Sequence, residues 1–367
     1  MPHPQKLSGM ESPAIKIQLQ NQSQNKTIPP AQTLGFGNYF SDHWFSSHFS
    51  EAQGWTQAKV EPYQNFSLDP AAAVFHYGQA LFEGMKAFRR ADGSIWLFRP
   101  EFNSQRFNDG AERLCLHQVP KELFLKAIKA LVEADSRWVP TEPGCALYIR
   151  PTLIGTEAFL GVRPSHEQIF FVILSPVGSY YSEGAAPVKI WVEHNALRAA
   201  AGGLGAVKAG ANYAASLQAA LQAKKQGYAQ VLWLNADHQG IEEVGTMNVF
   251  FVFNNEIITP ALNGSILPGG VRDSVLKLLR HWNKPVVERR ITIQEVHERF
   301  NKGELVEAFG TGTAATISRI GELQWQDKRM TLSGQHQLSQ EILTTLTGIQ
   351  MGTLPDQFGW MRSLQSL

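Results

Sequence analysis

With only Cys115 and Cys145 among its 367 residues, the chain lacks the thiols for a disulfide framework or a cysteine-rich zinc site. Two ordinary thiols suit a reducing compartment. Charge of one sign is also missing. The formal net charge is +1, so no general pull toward nucleic acid or an anionic membrane is expected. Long hydrophobic runs are absent too. The longest, IFFVIL at 169–174 and VFFVF at 249–253, have strand length and fall far short of a bilayer span. The N-terminus has no continuous apolar stretch of signal-peptide type, so a cytoplasmic address is expected and NKT and NFS are not read as glycosylation sites. No Rossmann glycine fingerprint, P-loop, H-E-x-x-H or G-x-S-x-G occurs, which removes the commonest nucleotide, zincin and serine-hydrolase readings. What remains is a globular composition, 43% hydrophobic and 18% charged, long enough for two domains.

The pattern along the chain is mixed. Residues 1–35 form a polar arm in which AIKIQLQ (14–20) alternates like one strand. SIWLFRP (94–100) has strand character and PEFNSQRFNDGAERL (100–114) reads as a helix. In KELFLKAIKALVEADSRW (121–138), Leu123, Phe124, Ala127, Ile128, Leu131 and Val132 fall at helical spacing. ALYIRPTLIG, QIFFVILSPVG and VKIWVE read as strands. NYAASLQAALQAKKQG reads as a helix ending at Gly227, and QVLWLN, MNVFFVF and EIITP as strands of one sheet. GGVRDSVLKLLRHW is a helix opened by two glycines. SYYSEGAAP (179–187) is the best linker. No repeat is present. The irregular alternation predicts an α+β fold.

Five stretches can carry chemistry. In GGLGAVKAGANYAAS (202–216), Lys208 stands alone among small apolar residues. Buried, it would be a nucleophilic amine; in a flexible loop it would be an ordinary solvated lysine. In EVGTMNVFF, Glu243 precedes a strand and is either a turn residue or a partner for a ring nitrogen. SILPGGVRDSVL places glycines at a helix start, a phosphate cradle or a plain turn. FGTGTAATI reads as a second anion-binding loop or a flexible turn. HYGQALFEGMKAF and LYIRPTLIGTEAFLGV interleave aromatics with Arg150, as core packing or as an apolar pocket with one cation.

Together with LFRPEFNSQR, SPVGSYY and KAGANY, these stretches resemble the branched-chain amino acid aminotransferases, pyridoxal-phosphate enzymes of fold type IV. The resemblance covers roughly residues 34–345. It implies a two-domain, D-amino acid aminotransferase-like fold. That fold has a small N-terminal α/β domain (36–178), a linker (179–187) and a large C-terminal domain (188–367) with a pseudo-barrel sheet. It implies that Lys208 is the Schiff-base lysine, that Tyr213 bonds the cofactor's phenolic oxygen and that Glu243 pairs with its pyridine nitrogen. Arg106 is implied on the phosphate, with Gly270, Val271, Thr311 and Thr313. Arg198, Thr246 and Leu267 are further cofactor contacts. The substrate would meet Phe40, Tyr77, Phe82, Tyr148 and Tyr180, with its α-carboxylate at Thr313 and Ala314 and the distal carboxylate of glutamate at Arg150.

The implied reaction moves the amino group of L-leucine, L-isoleucine or L-valine to 2-oxoglutarate in a ping-pong cycle, with no metal, nucleic acid or membrane partner, in a homodimer. One departure stands out. Animal-type members carry a Cys-x-x-Cys pair after GTGTA, where this chain has Ala315 and Ser318, so the linked redox sensitivity is not expected. The alternatives are a D-amino acid aminotransferase, an aminodeoxychorismate lyase, or a non-catalytic protein that binds the cofactor.

Overall fold

The computed structural model describes residues 12–178, 186–332 and 334–367. It forms two compact units. One holds the described residues up to Arg89, Gly93–Pro176 and Arg362–Leu367; the other holds Arg90–Asp92 and Val177–Met361. The expected linker falls largely at 179–185 and, with Tyr180, lies outside the described residues.

In the first unit the strands are β1 (Lys16–Ile17), β2 (His43–Ser50), β3 (Gly54–Pro62), β4 (Ala80–Phe82), β5 (Met85–Arg89), β6 (Ile95–Phe98), β7 (Ala146–Gly155) and β8 (Glu167–Val177). They pair in the order β1-β3-β2-β8-β7-β5-β6, with β4 also on β7. The strand expected at 14–20 is confined to the two residues of β1, parallel to β3. Helix α1 (Ala73–Tyr77) precedes β4, and α2 (Pro100–Arg113) and α3 (Lys121–Ala134) cover the sheet. All six apolar residues of the α3 stripe are fully buried. Phe107 of α2, Phe124 of α3 and Phe170 of β8 meet with ring centroids 5.4–5.8 Å apart. Each such ring contributes about 1.5–3 kcal/mol of burial.

The second unit holds β9 (Val188–Val192), β10 (Gln230–Leu234), β11 (Ile241–Val244), β12 (Met247–Phe253), β13 (Ile257–Thr259), β14 (Val286–Glu288), β15 (Leu305–Gly312), β16 (Thr316–Trp325) and β17 (Lys328–Thr331). Pairing runs β11-β10-β9-β16-β15-β12, and β12 returns to β11. The sheet therefore closes on itself, which leaves these six strands no open edge. Alternate residues such as Val192, Leu232, Val244, Val249, Ala308 and Ile320 form one buried cluster. Helices α4 (Gly210–Lys225), α5 (Gly270–His281), α6 (Ile293–Asn301) and α7 (Gln337–Met351) complete the unit.

Candidate active site

Lys208 stands two residues before the first helical residue of α4, and Tyr213 is the fourth residue of that helix. Side chains at these two positions of a helix start face one another, as in a hydrophobic staple. Here the pair is polar. Lys208 Nζ donates to Tyr213 Oη at 2.7 Å and lies 5.2 Å from the ring centroid. A spacing of five residues is thus a helix-start spacing. Asn212, one residue earlier, ties the glycine-rich loop down by donating to Leu204 O and Val207 O. Gly205 packs against the Ser265 backbone, where any side chain would collide. Chain packing therefore requires at least one glycine of the loop. Lys208 is half-buried, between the two extremes the sequence allows.

Glu243 was expected ahead of a strand; it lies inside β11. The next strand follows a two-residue turn, Gly245-Thr246, with Gly245 at φ +59°. A left-handed backbone at that position favours glycine. The register places Glu243 opposite Asn248, and Asn248 opposite Thr311. Paired residues share a face, so three polar side chains form one row across β11, β12 and β15. That row meets the chain before α5. Leu267 N donates to Glu243 Oε1 at 2.7 Å, and Asn248 Nδ2 donates to Leu267 O at 2.9 Å. A single residue's backbone is held from both sides. Gly269, the N-cap of α5, packs against Asn248 where a Cβ would collide with its Oδ1. Gly270 and Val271 open the helix beside this row, at the positive end of its dipole.

Arg198 Nη2 stands 3.4 Å from Glu243 Oε1 and also donates to Gly205 O and Ser265 O. Burial pushes the Glu243 carboxyl above its ordinary value; Arg198, the Leu267 N–H and Lys208 pull it back only in part. Arg198, Tyr213, Glu243, Thr246 and Leu267 line one cleft. Two buried polar atoms in this region, Arg198 Nε and Thr311 Oγ1, have no hydrogen-bond partner among the described residues. FGTGTAATI is not one loop: Thr311 is in β15, and only Thr313–Ala315 turn. A helix start beside the orphaned Thr311 hydroxyl, together with the Glu243 carboxyl raised by burial, fits a phosphorylated ring with a protonated nitrogen.

The first unit carries the other expected residues. Arg106 donates to Glu83 through Nε at 2.7 Å and Nη2 at 2.9 Å. Arg150 Nη2 donates to Tyr148 Oη at 3.0 Å, and its guanidinium lies over the Phe82 and Tyr148 rings. Arg150 Nε is buried without a hydrogen-bond partner among the described residues. Phe36, absent from the sequence reading, packs edge-on against Tyr148 at 4.9 Å. Phe40 instead stacks on Tyr63, and Tyr77 donates from its hydroxyl to Leu160 O. Gly84 lets the Tyr148 hydroxyl approach the backbone; any Cβ there would overlap it. Lys86 was also missed. It faces Tyr148 across β5 and β7, and burial pushes its amine down to about 8. The sequence signals for Glu83, Gly84 and Lys86 all lay within FEGMK, but their partners are set by strand register.

The family described as amino-transferase class IV matches residues 80–323. The chain is 47% identical to branched-chain-amino-acid aminotransferase 2 of Bacillus subtilis (strain 168), over 98% of this chain and 99% of that protein. It is 48% identical to branched-chain-amino-acid transaminase 1 of the same organism, over 91% and 95%. A solved branched-chain amino acid aminotransferase from Thermobaculum terrenum, in its PLP holo-form, matches with a TM-score of 0.70. The match covers 88% of this chain and 98% of that one at 21% identity, a likeness of fold. The closed six-strand ring agrees with the expected pseudo-barrel of fold type IV. The chain belongs to the class IV amino-transferases, within their branched-chain aminotransferase group.

Proposed function

We propose that this chain is a branched-chain amino acid transaminase. It moves the amino group of L-leucine, L-isoleucine or L-valine to 2-oxoglutarate and yields L-glutamate and the branched 2-oxo acid. The observation that carries this is the Lys208–Tyr213 pair beside the buried Glu243. Pyridoxal phosphate, when bound, supplies the electron sink that makes the substrate Cα–H bond acidic. Lys208 Nζ would hold the cofactor and, when free, would take the substrate Cα proton as general base and deliver it to the cofactor carbon that receives the amino group. Tyr213 Oη holds the Lys208 amine in place. Glu243, basic through burial, pairs with a ring N–H. Arg106, Thr311, Thr313 and the Gly270–Val271 helix start would hold the phosphate, and Arg198, Thr246 and Leu267 would contact the ring.

Phe82, Tyr148 and Arg150 receive the substrate side chain, with Phe40, Tyr77 and Tyr180, and Thr313 and Ala314 the α-carboxylate. Arg150, whose buried Nε has no hydrogen-bond partner among the described residues, suits the distal carboxylate of glutamate. We read the two compact units as the small and large domains, and place the protein in the cytoplasm as a homodimer. An exposed apolar patch supports association. Phe75, Phe159, Leu160 and Val162, the last 88% exposed, lie around α1 and the loop bonded to it.

The test is a side-by-side assay with 2-oxoglutarate as acceptor. The three branched L-amino acids are expected within roughly 200-fold of one another, because one methylene changes binding little. D-Alanine should be inactive. Preference for D-alanine, or no glutamate formed from any of them, would overturn the reading.

A further inference from the structure

We propose that Glu83 is a positioning residue for the cofactor phosphate: it fixes the Arg106 guanidinium, and through it sets how long pyridoxal phosphate stays bound. The proposal rests on the assignment of Arg106 to the phosphate. Glu83 occupies the corner between β4 and β5 and is completely buried. An ionised carboxylate out of water needs several donors to persist. Four point at it. Arg106 contributes Nε at 2.7 Å and Nη2 at 2.9 Å, Asn103 Nδ2 at 2.7 Å, and Gly84 N at 3.0 Å. Asn103 and Arg106 are three residues apart on α2, so one helix face presents both donors.

Two parallel N–H···O bonds lock the plane of a guanidinium as well as its position. Arginine otherwise loses much rotamer freedom when it engages a ligand. A guanidinium held beforehand avoids that loss at the moment of binding. The same carboxylate also offsets part of the positive charge that attracts a phosphate. Orientation and charge therefore pull in opposite directions. We infer that orientation wins, because the paired bonds from Nε and Nη2 fix the plane in which the guanidinium presents its remaining donors.

The decisive measurement is the rate at which the loaded enzyme releases pyridoxal phosphate to an excess of scavenger. Glu83→Gln should release it about 10–100-fold faster, the range typical for losing an outer-shell partner. Arg106→Ala should also release the cofactor faster, and adding Glu83→Gln to it should change nothing further. Independent effects would instead add. Slower release from Glu83→Gln, wild-type release, or full additivity would each overturn the proposal. If Glu83→Gln does not fold, Asn103→Ala loosens the same carboxylate and should speed release about fivefold; wild-type release there overturns it equally. If Arg106→Ala itself retains the cofactor, the assignment of Arg106 to the phosphate is what fails.

Discussion

Asp42 in the first unit and Glu243 in the second are both carboxylates almost wholly removed from water, yet their surroundings differ in kind. Asp42 accepts from Lys26 N, from Arg137 through Nε and Nη2, and from Trp138 Nε1. Beside it, Asp135 takes His43 N and His43 Nδ1, while His43 Nε2 accepts from Gln20 N. Burial alone would raise the Asp42 carboxyl, but Trp138, the Lys26 N–H and Arg137 outweigh it and hold it below its ordinary value. Among the described residues Glu243 accepts from the Leu267 N–H and stands near Arg198 and Lys208, and burial still outweighs them. In its neighbourhood Arg198 Nε and Thr311 Oγ1 have no hydrogen-bond partner among the described residues. A satisfied buried network fixes a fold; here it pins the N-terminal arm to the sheet. An under-satisfied one is built for a ligand that completes it.

Breaking the second network should hurt catalysis without hurting the fold. Glu243→Gln is expected to lower kcat about 10²–10³-fold, the scale for losing one preorganised electrostatic partner. Its effect on stability has the opposite sign. The folded carboxyl titrates above its unfolded value, so its contribution is present at low pH and is lost as pH rises through the raised value. Cofactor-free Glu243→Gln should therefore melt above wild type at pH 8, and the two should converge toward pH 4. A variant that melts lower at pH 8 would mean that Glu243 is a structural anion like Asp42.

Breaking the first network should do the reverse. Asp42→Asn is expected to cost about 2 kcal/mol, less than the 3–5 kcal/mol of a fully buried pair because Arg137 remains 37% exposed. Denaturant unfolding should register the loss while kcat holds. The smallest effect belongs to Thr311→Val, which removes the orphaned hydroxyl. Cofactor affinity should fall about tenfold, as for one hydrogen bond to a charged group, and the stability of the cofactor-free protein should be unchanged or higher. Undiminished affinity would separate Thr311 from the phosphate.

Local patterns carried much of this in advance. The α3 stripe, the Lys208–Tyr213 spacing and the glycines before α5 are properties of short stretches, and the sequence displays them directly. Glu243 lies within β11 rather than ahead of a strand, because IEEV has no apolar alternation to announce it. Asn248, Phe36 and Glu83 went unread for another reason. Their partners come from strand register or from residues far along the chain, and no spacing rule encodes those. FGTGTAATI looked like a loop because small hydroxyl residues are common in turns, yet pairing with β12 and β16 draws its first half into a strand.

The central claim, that Lys208 holds the cofactor and moves the proton, meets its most direct test in a single half-reaction. Pyridoxal-phosphate-loaded protein is mixed with L-leucine without any acceptor, and pyridoxamine phosphate and 4-methyl-2-oxovalerate are quantified. Wild type should form them in equal amounts, up to one per site. Lys208→Ala reloaded with cofactor should be slower by at least about 10²–10⁴-fold, the contribution of a positioned proton-transfer group. Conversion by Lys208→Ala at the wild-type rate would contradict the account.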